Sequence, residues 1–146
     1  DPVNAQLVRD EIMEMQKQGC TVLLSTHRME SVEELCSHIA LLNRSKKVLD
    51  GSVKDIREAN RTACYELRYK GNAIAFANAL WTGFEIVETK MAEGEQVAVV
   101  KVLGDHTPNQ LLQAVLPSVE VVSFKELLPS MNDIFIAQVG STKSTL

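Results

Sequence analysis

Thr21, Val22, Leu23 and Leu24 form a continuous apolar or β-branched run that closes abruptly on Ser25, Thr26 and His27. A strand without polar alternation is one covered on both faces, the pattern of a strand inside a parallel sheet. This stretch constrains the fold most, because such a strand needs hydrogen-bonding neighbours at its edges and apolar layers above and below. In open α/β sheets, ligands sit outside the carboxyl ends of the strands. His27 stands at such an end and is a candidate functional group. The plainer alternative is a histidine that starts the next helix and faces water.

The flanks of the run read as helices. Asp1 can cap a helix that begins at Pro2, whose fixed φ suits the first helical position. Val8, Ile12 and Met15 mark one face, and Gly19 ends the helix. After His27, the residues Met29, Val32, Leu35 and Cys36 form the apolar side of a second helix. Glu30, Glu33 and Glu34 cluster near its start, where negative charge is favoured by the helix dipole. They are read as a solvated face, and no metal site is expected. This alternation predicts an α/β unit. Ile39 to Leu42 and Lys47 to Gly51 read as two short strands joined by a polar hairpin loop. Ser52 with Asp55 resembles a capping box for a short helix, and the domain boundary is placed at about Asn60.

Beyond Thr62 the pattern changes to strand, helix, strand, strand, helix, strand. Tyr65, Leu67 and Tyr69 alternate with polar residues. Ile74, Ala77 and Leu80, with Phe76 beside them, are expected to bury one helix. Glu93 to Glu95 is a turn, and Thr107 with Pro108 opens a helix that buries Leu111, Leu112 and Val115. This is the βαββαβ order of ferredoxin-like α+β domains. Ser130 and Asp133 suggest a cap for a closing helix, assigned with the second domain. The expected domains are thus residues 1–60 and residues 61–146.

Composition narrows the function. The chain of 146 residues has a formal net charge of −4, which argues against a nucleic-acid partner. No apolar run approaches the roughly 18 residues of a membrane-spanning helix, and no signal peptide opens the chain. Cys20, Cys36 and Cys64 are far apart, so neither a zinc site nor a disulfide framework is indicated. Cys20 and Cys36 are expected to be buried reduced thiols, which fits a cytoplasmic location.

Taken together, Asp1, Pro2, Val3 and Asn4, the helix, the run from Val22 to His27, and the glutamate-rich helix closely resemble the final third of an ABC-transporter ATP-binding subunit. The resemblance covers roughly residues 1–60. It implies that Asp1 is the D-loop aspartate and His27 the switch histidine of the H-loop, in contact with the γ-phosphate. Residues 129–139 resemble the closing helix of the extra C-terminal domain of export-type ATPases. The parent is then an ATPase using ATP and Mg²⁺, working as a pair of cassettes with a transmembrane permease, on the inner face of the cell membrane. The glycine loop, signature motif, Walker B aspartate and catalytic glutamate are not in this chain. By itself it is expected to be inactive and to bind no cofactor. Residues 1–60 are expected to self-associate and residues 62–140 to fold normally. Two other readings compete: a stand-alone regulatory or dimerisation module, and an RNA-binding sheet on which Tyr65 and Tyr69 would stack bases.

Overall fold

The computed structural model describes residues 2–141 of the chain. These divide into two units, one running to Asn60 and resuming at Pro129, the other Arg61–Leu128.

In the first unit, helix α1 (Pro2–Lys17) leads to an irregular connection and then to helix α2 (Met29–Leu35). The expected cap Asp1 lies outside the described residues. The face assigned to the core on α1 is not a core face. Val8 and Met15 are exposed, and only Arg9 and Ile12 are half-buried. Two polar contacts hold α1 to α2: Arg9 Nη2 lies 2.8 Å from Glu34 Oε2, and Gln16 Nε2 donates to the Leu35 carbonyl at 3.1 Å.

The strand expected over residues 20–25 does not form. Strand ladders need a neighbouring backbone to complete their hydrogen bonds. No strand lies beside this stretch among the described residues. Leu23 is consequently 98% exposed, and Cys20, expected to be buried, is exposed as well.

The hairpin follows expectation closely. Strands β1 (His38–Asn43) and β2 (Lys46–Ser52) pair antiparallel around Arg44 and Ser45. Both turn residues have positive φ, 48° and 61°. This is the backbone hand that matches a two-residue turn to the strand twist. Within β2, Lys47 Nζ donates to Asp50 Oδ2 at 2.6 Å. That hydrogen bond and the Lys47 charge hold the Asp50 carboxyl below the usual aspartate range. The Ser52 hydroxyl accepts from the Asp55 amide and caps helix α3 (Val53–Ala59).

The core of this unit joins α2, α3 and the closing helix α6 (Met131–Ser141). Val32, Val53, Ile56, Met131 and Ile134 are buried together, with Met29, Cys36, Ile39 and Leu49 packed against them. Burial raises the Cys36 thiol pKa. The closing helix therefore packs with the first unit, not with the domain to which its place in the chain assigns it. Its cap is reciprocal. The Asp133 amide donates to Ser130 Oγ, while the Ser130 amide and hydroxyl donate to Asp133 Oδ2. Glu33, read as part of a solvated face, instead accepts from the Met131 amide and lies 3.8 Å from Arg57 Nη1. Arg57 Nε also donates to the Pro129 carbonyl at 2.9 Å. One carboxylate thus ties three helices.

In the second unit, strands β3 (Cys64–Lys70), β4 (Phe84–Ala92), β5 (Glu95–Val102) and β6 (Glu120–Leu127) form one antiparallel sheet in the order β4-β5-β3-β6. Helices α4 (Ala73–Ala79) and α5 (Pro108–Val115) complete the ferredoxin-like βαββαβ arrangement. Leu67, Tyr69, Phe76, Ala98, Val100, Leu111 and Val115 make its core. Ile74, expected inside, is 70% exposed, and Phe76 is buried in its place. The reason is the larger ring: Phe76 stacks on Tyr69 with centroids 4.3 Å apart, which rotates the face of α4. Thr107 and Gln110 form a full capping box at α5. Gly83 is required by space, since a Cβ there would stand 2.4 Å from His106 Cδ2.

Two outcomes check this packing. Glu33→Ala should lower the stability of the first unit by about 1–3 kcal/mol, because it strands a helix-terminal amide and removes a partner of Arg57; urea unfolding at neutral pH measures it. In a carboxyl titration by NMR, Asp50 should show a midpoint below the normal aspartate value, and Lys47→Ala should return it upward. With the folded pKa depressed, this contact contributes above the unfolded aspartate value and is lost as pH falls through the folded one.

Candidate functional site

His27 lies in a bend between the unpaired apolar run and the first turn of α2, and its side chain is exposed. Among the described residues neither ring nitrogen is held by a hydrogen bond. The neighbouring hydroxyl of Thr26 is engaged locally, accepting from the Arg28 amide at 3.1 Å. This turn sets the direction in which the chain enters α2. Chemically, the site is one accessible imidazole, able to donate or accept at a solvent-facing position. Asp1, the other candidate, lies outside the described residues. Among the described residues no group of three or more histidines, cysteines, aspartates or glutamates could hold a metal ion. Nor does any described loop form a glycine-rich phosphate cradle of the kind that grips nucleotides.

The sheet of the second unit offers no base-stacking platform. Tyr65 and Tyr69 sit on the helix side, where Tyr65 stacks on Phe124 with centroids 5.2 Å apart and Tyr69 stacks on Phe76. On the opposite face, Glu66 lies 3.7 Å from Arg68 Nε and 3.6 Å from Lys125 Nζ, an ion-paired surface without aromatics at its centre. Tyr65 and Tyr69 are therefore not free to stack bases, the role the RNA-binding alternative gave them.

The model of the ATP-binding protein DrrA1-3-like C-terminal domain matches residues 51–139. This chain belongs to that family, as a C-terminal part of an ABC transporter ATP-binding subunit. An uncharacterised ABC transporter ATP-binding protein of Alkalihalophilus pseudofirmus is 30% identical over 97% of this chain and 51% of its own length. The corresponding protein YhaQ of Bacillus subtilis is 29% identical over 97% of this chain and 45% of its own. The fluoroquinolones export ATP-binding protein of Mycobacterium tuberculosis is 26% identical over 96% of this chain and 40% of its own. The chain thus spans about half the length or less of these relatives. The family match extends from the end of the hairpin through the ferredoxin-like sheet and into α6. The matched stretch includes residues 131–139 of α6, which packs on α2 and α3. No described helix is long and apolar enough to cross a membrane.

Sequence reasoning missed the joining role of Glu33. The signal was present: a glutamate three residues before Cys36, on the flank of an apolar face, can reach a partner helix as well as solvent. Exposure of His27 leads to a direct expectation. His27→Ala should change the melting free energy of this chain by no more than about 0.5 kcal/mol, as for other exposed positions without partners; differential scanning calorimetry checks it. In parallel, Cys20 should react with iodoacetamide well before Cys36, whose thiol is shielded and shifted upward, as followed by peptide mass spectrometry.

Proposed function

We propose that the protein containing these residues is the ATP-hydrolysing subunit of an ABC-2-type exporter, in which His27 serves as the switch histidine. The observation that carries this reading is the placement of His27. It is an accessible imidazole immediately after an apolar run suited to a parallel sheet and immediately before a helix, in a chain of the ABC ATP-binding family. Residues 21–25 then join a sheet supplied by the rest of the cassette, which gives their exposed apolar side chains a cover.

In that setting, the imidazole N–H donates a hydrogen bond to an oxygen of the γ-phosphate. A positioned donor of this kind stabilises charge that develops during phosphoryl transfer. Asp1 serves as the D-loop contact between two cassettes. The residues described here do not fit a nucleotide site on their own, because they provide one donor and no cradle. ATP and Mg²⁺ are accordingly held by other parts of the parent, and this chain alone is inactive. The partners are a second cassette and a transmembrane permease, which hold the subunit on the inner face of the membrane. The export direction is supported by the relative named for fluoroquinolone export.

In the whole protein, His27→Ala should reduce ATP turnover by about 10²–10³-fold while leaving nucleotide affinity near the wild-type value, the pattern expected when a transition-state donor is removed. Steady-state turnover with a separate nucleotide-binding titration distinguishes the two. Unchanged turnover removes His27 from the mechanism. Calorimetry of this chain with Mg-ATP should show no micromolar binding.

A further inference from the structure

We propose that the ferredoxin-like unit pairs with a second copy of itself through the free edge of β4, by an antiparallel two-fold arrangement centred on Thr89. Strand β4 is nine residues long and pairs only with β5 among the described strands. Its far edge is open, and its middle is exposed throughout. Natural sheets normally protect such an edge with charge or cover it. Here Val87 is 57% and Met91 68% exposed, and Ile74 of α4, which lines a groove with Met91, is 70% exposed. Ile74, Ile86 and Met91 line one open groove of about 470 Å³ between α4 and the edge strand. An apolar edge of this kind gains by being covered.

The occupant is argued from backbone register and charge. Glu93 and Gly94, at φ 53° and 78°, form the two-residue turn that joins Ala92 to Glu95. In such a hairpin the closing pair exchanges both backbone hydrogen bonds, and the pattern then alternates. Lys90 and Glu88 therefore direct their backbone groups toward β5, whereas Met91 and Thr89 direct theirs to the free edge. A two-fold axis through Thr89 sets Thr89 against Thr89 of the second copy as the hydrogen-bonded pair. Glu88 then faces Lys90 of the second copy, and Lys90 faces Glu88, both as non-hydrogen-bonded pairs, where side chains come closest. Val87 comes opposite Met91 on both sides of the axis. Val87 is the residue of the bulge between Ile86 and Glu88, so one bulge bounds the pairing at each end. Beyond it, Glu85 would meet Glu93, a like-charge pair that discourages a longer register. Shifting the axis to Glu88 would set Glu88 against Glu88, and the register centred on Thr89 is the one that sets Glu88 opposite Lys90 on both sides of the axis. The charges that would otherwise protect this edge are thus self-complementary. The product is a continuous eight-stranded sheet with the two apolar grooves adjoining.

Sedimentation of the 146-residue chain over a concentration series tests this through charge reversal. Wild type should associate to a dimer. E88K sets two lysines against two lysines, and K90E sets glutamates against glutamates. Each should weaken dimerisation by about tenfold or more, given two reversed cross-strand pairs per dimer. An equimolar mixture of E88K with K90E should recover the dimer, because every facing pair is again opposite in sign, and so should the double variant E88K/K90E. Both positions are exposed, and circular dichroism confirms retention of the fold. A monomeric wild type, an association unchanged by E88K and K90E, or a mixture no stronger than its components overturns the proposal. An association that is instead abolished by L23E, and so runs through the apolar run of the first unit, also overturns it. None of these outcomes depends on the role of His27.

Discussion

A strand exists only where another backbone completes its hydrogen bonds, and this requirement governs both units of the chain. Val22, Leu23 and Leu24 have the side chains of a buried strand, yet they form an irregular connection because no described strand lies beside them. Leu23 and Leu24 are exposed, and leaving large apolar side chains in water costs about 1.5–3 kcal/mol each relative to burial. Strand β4 shows the half-satisfied case. It has one neighbour, β5, and an open edge fringed by apolar and oppositely charged side chains.

Where partners are present, the packing is conventional and its specificity lies in a few groups. The ferredoxin-like core rests on the alternation of β3, whose Leu67 and Tyr69 meet Phe76, Leu111 and Val115 of the two helices. In the first unit the apolar cluster is smaller, and polar contacts take part of the load. Glu33 receives an amide at the start of α6 and approaches Arg57, which in turn holds the Pro129 carbonyl. These half-buried, charge-assisted contacts contribute more than exposed ion pairs of the same geometry. They also fix where the chain returns after the ferredoxin-like excursion. The family match from residue 51 to residue 139 accordingly spans the sheet and most of a helix that belongs to the first unit.

His27 lies in the bend before α2, ahead of the residues 51–139 that the family model matches. In the proposed role of switch histidine it acts on a ligand that other parts of the subunit hold, and its exposure leaves the imidazole accessible for that. Beside it, the Arg28 amide donates to the Thr26 hydroxyl and closes the bend before α2.

Local rules were legible in the residues themselves. The hairpin turn at Arg44 and Ser45, the caps at Ser52, Thr107 and Ser130, and the βαββαβ order all follow from interactions within a few residues. So did the candidacy of His27, from a polar stop on an apolar run. What the residues did not determine was each choice that compares distant partners. Phe76 displaced Ile74 from the core because Tyr69 offered a ring to stack on. Glu33 left the solvent because α6 brought an unpaired amide to it. The run after Gly19 stayed unpaired because strand propensity is a preference for a pleated, half-buried surface and cannot create one. Periodicity and capping are encoded along the chain, whereas partnership is decided only when separated segments meet.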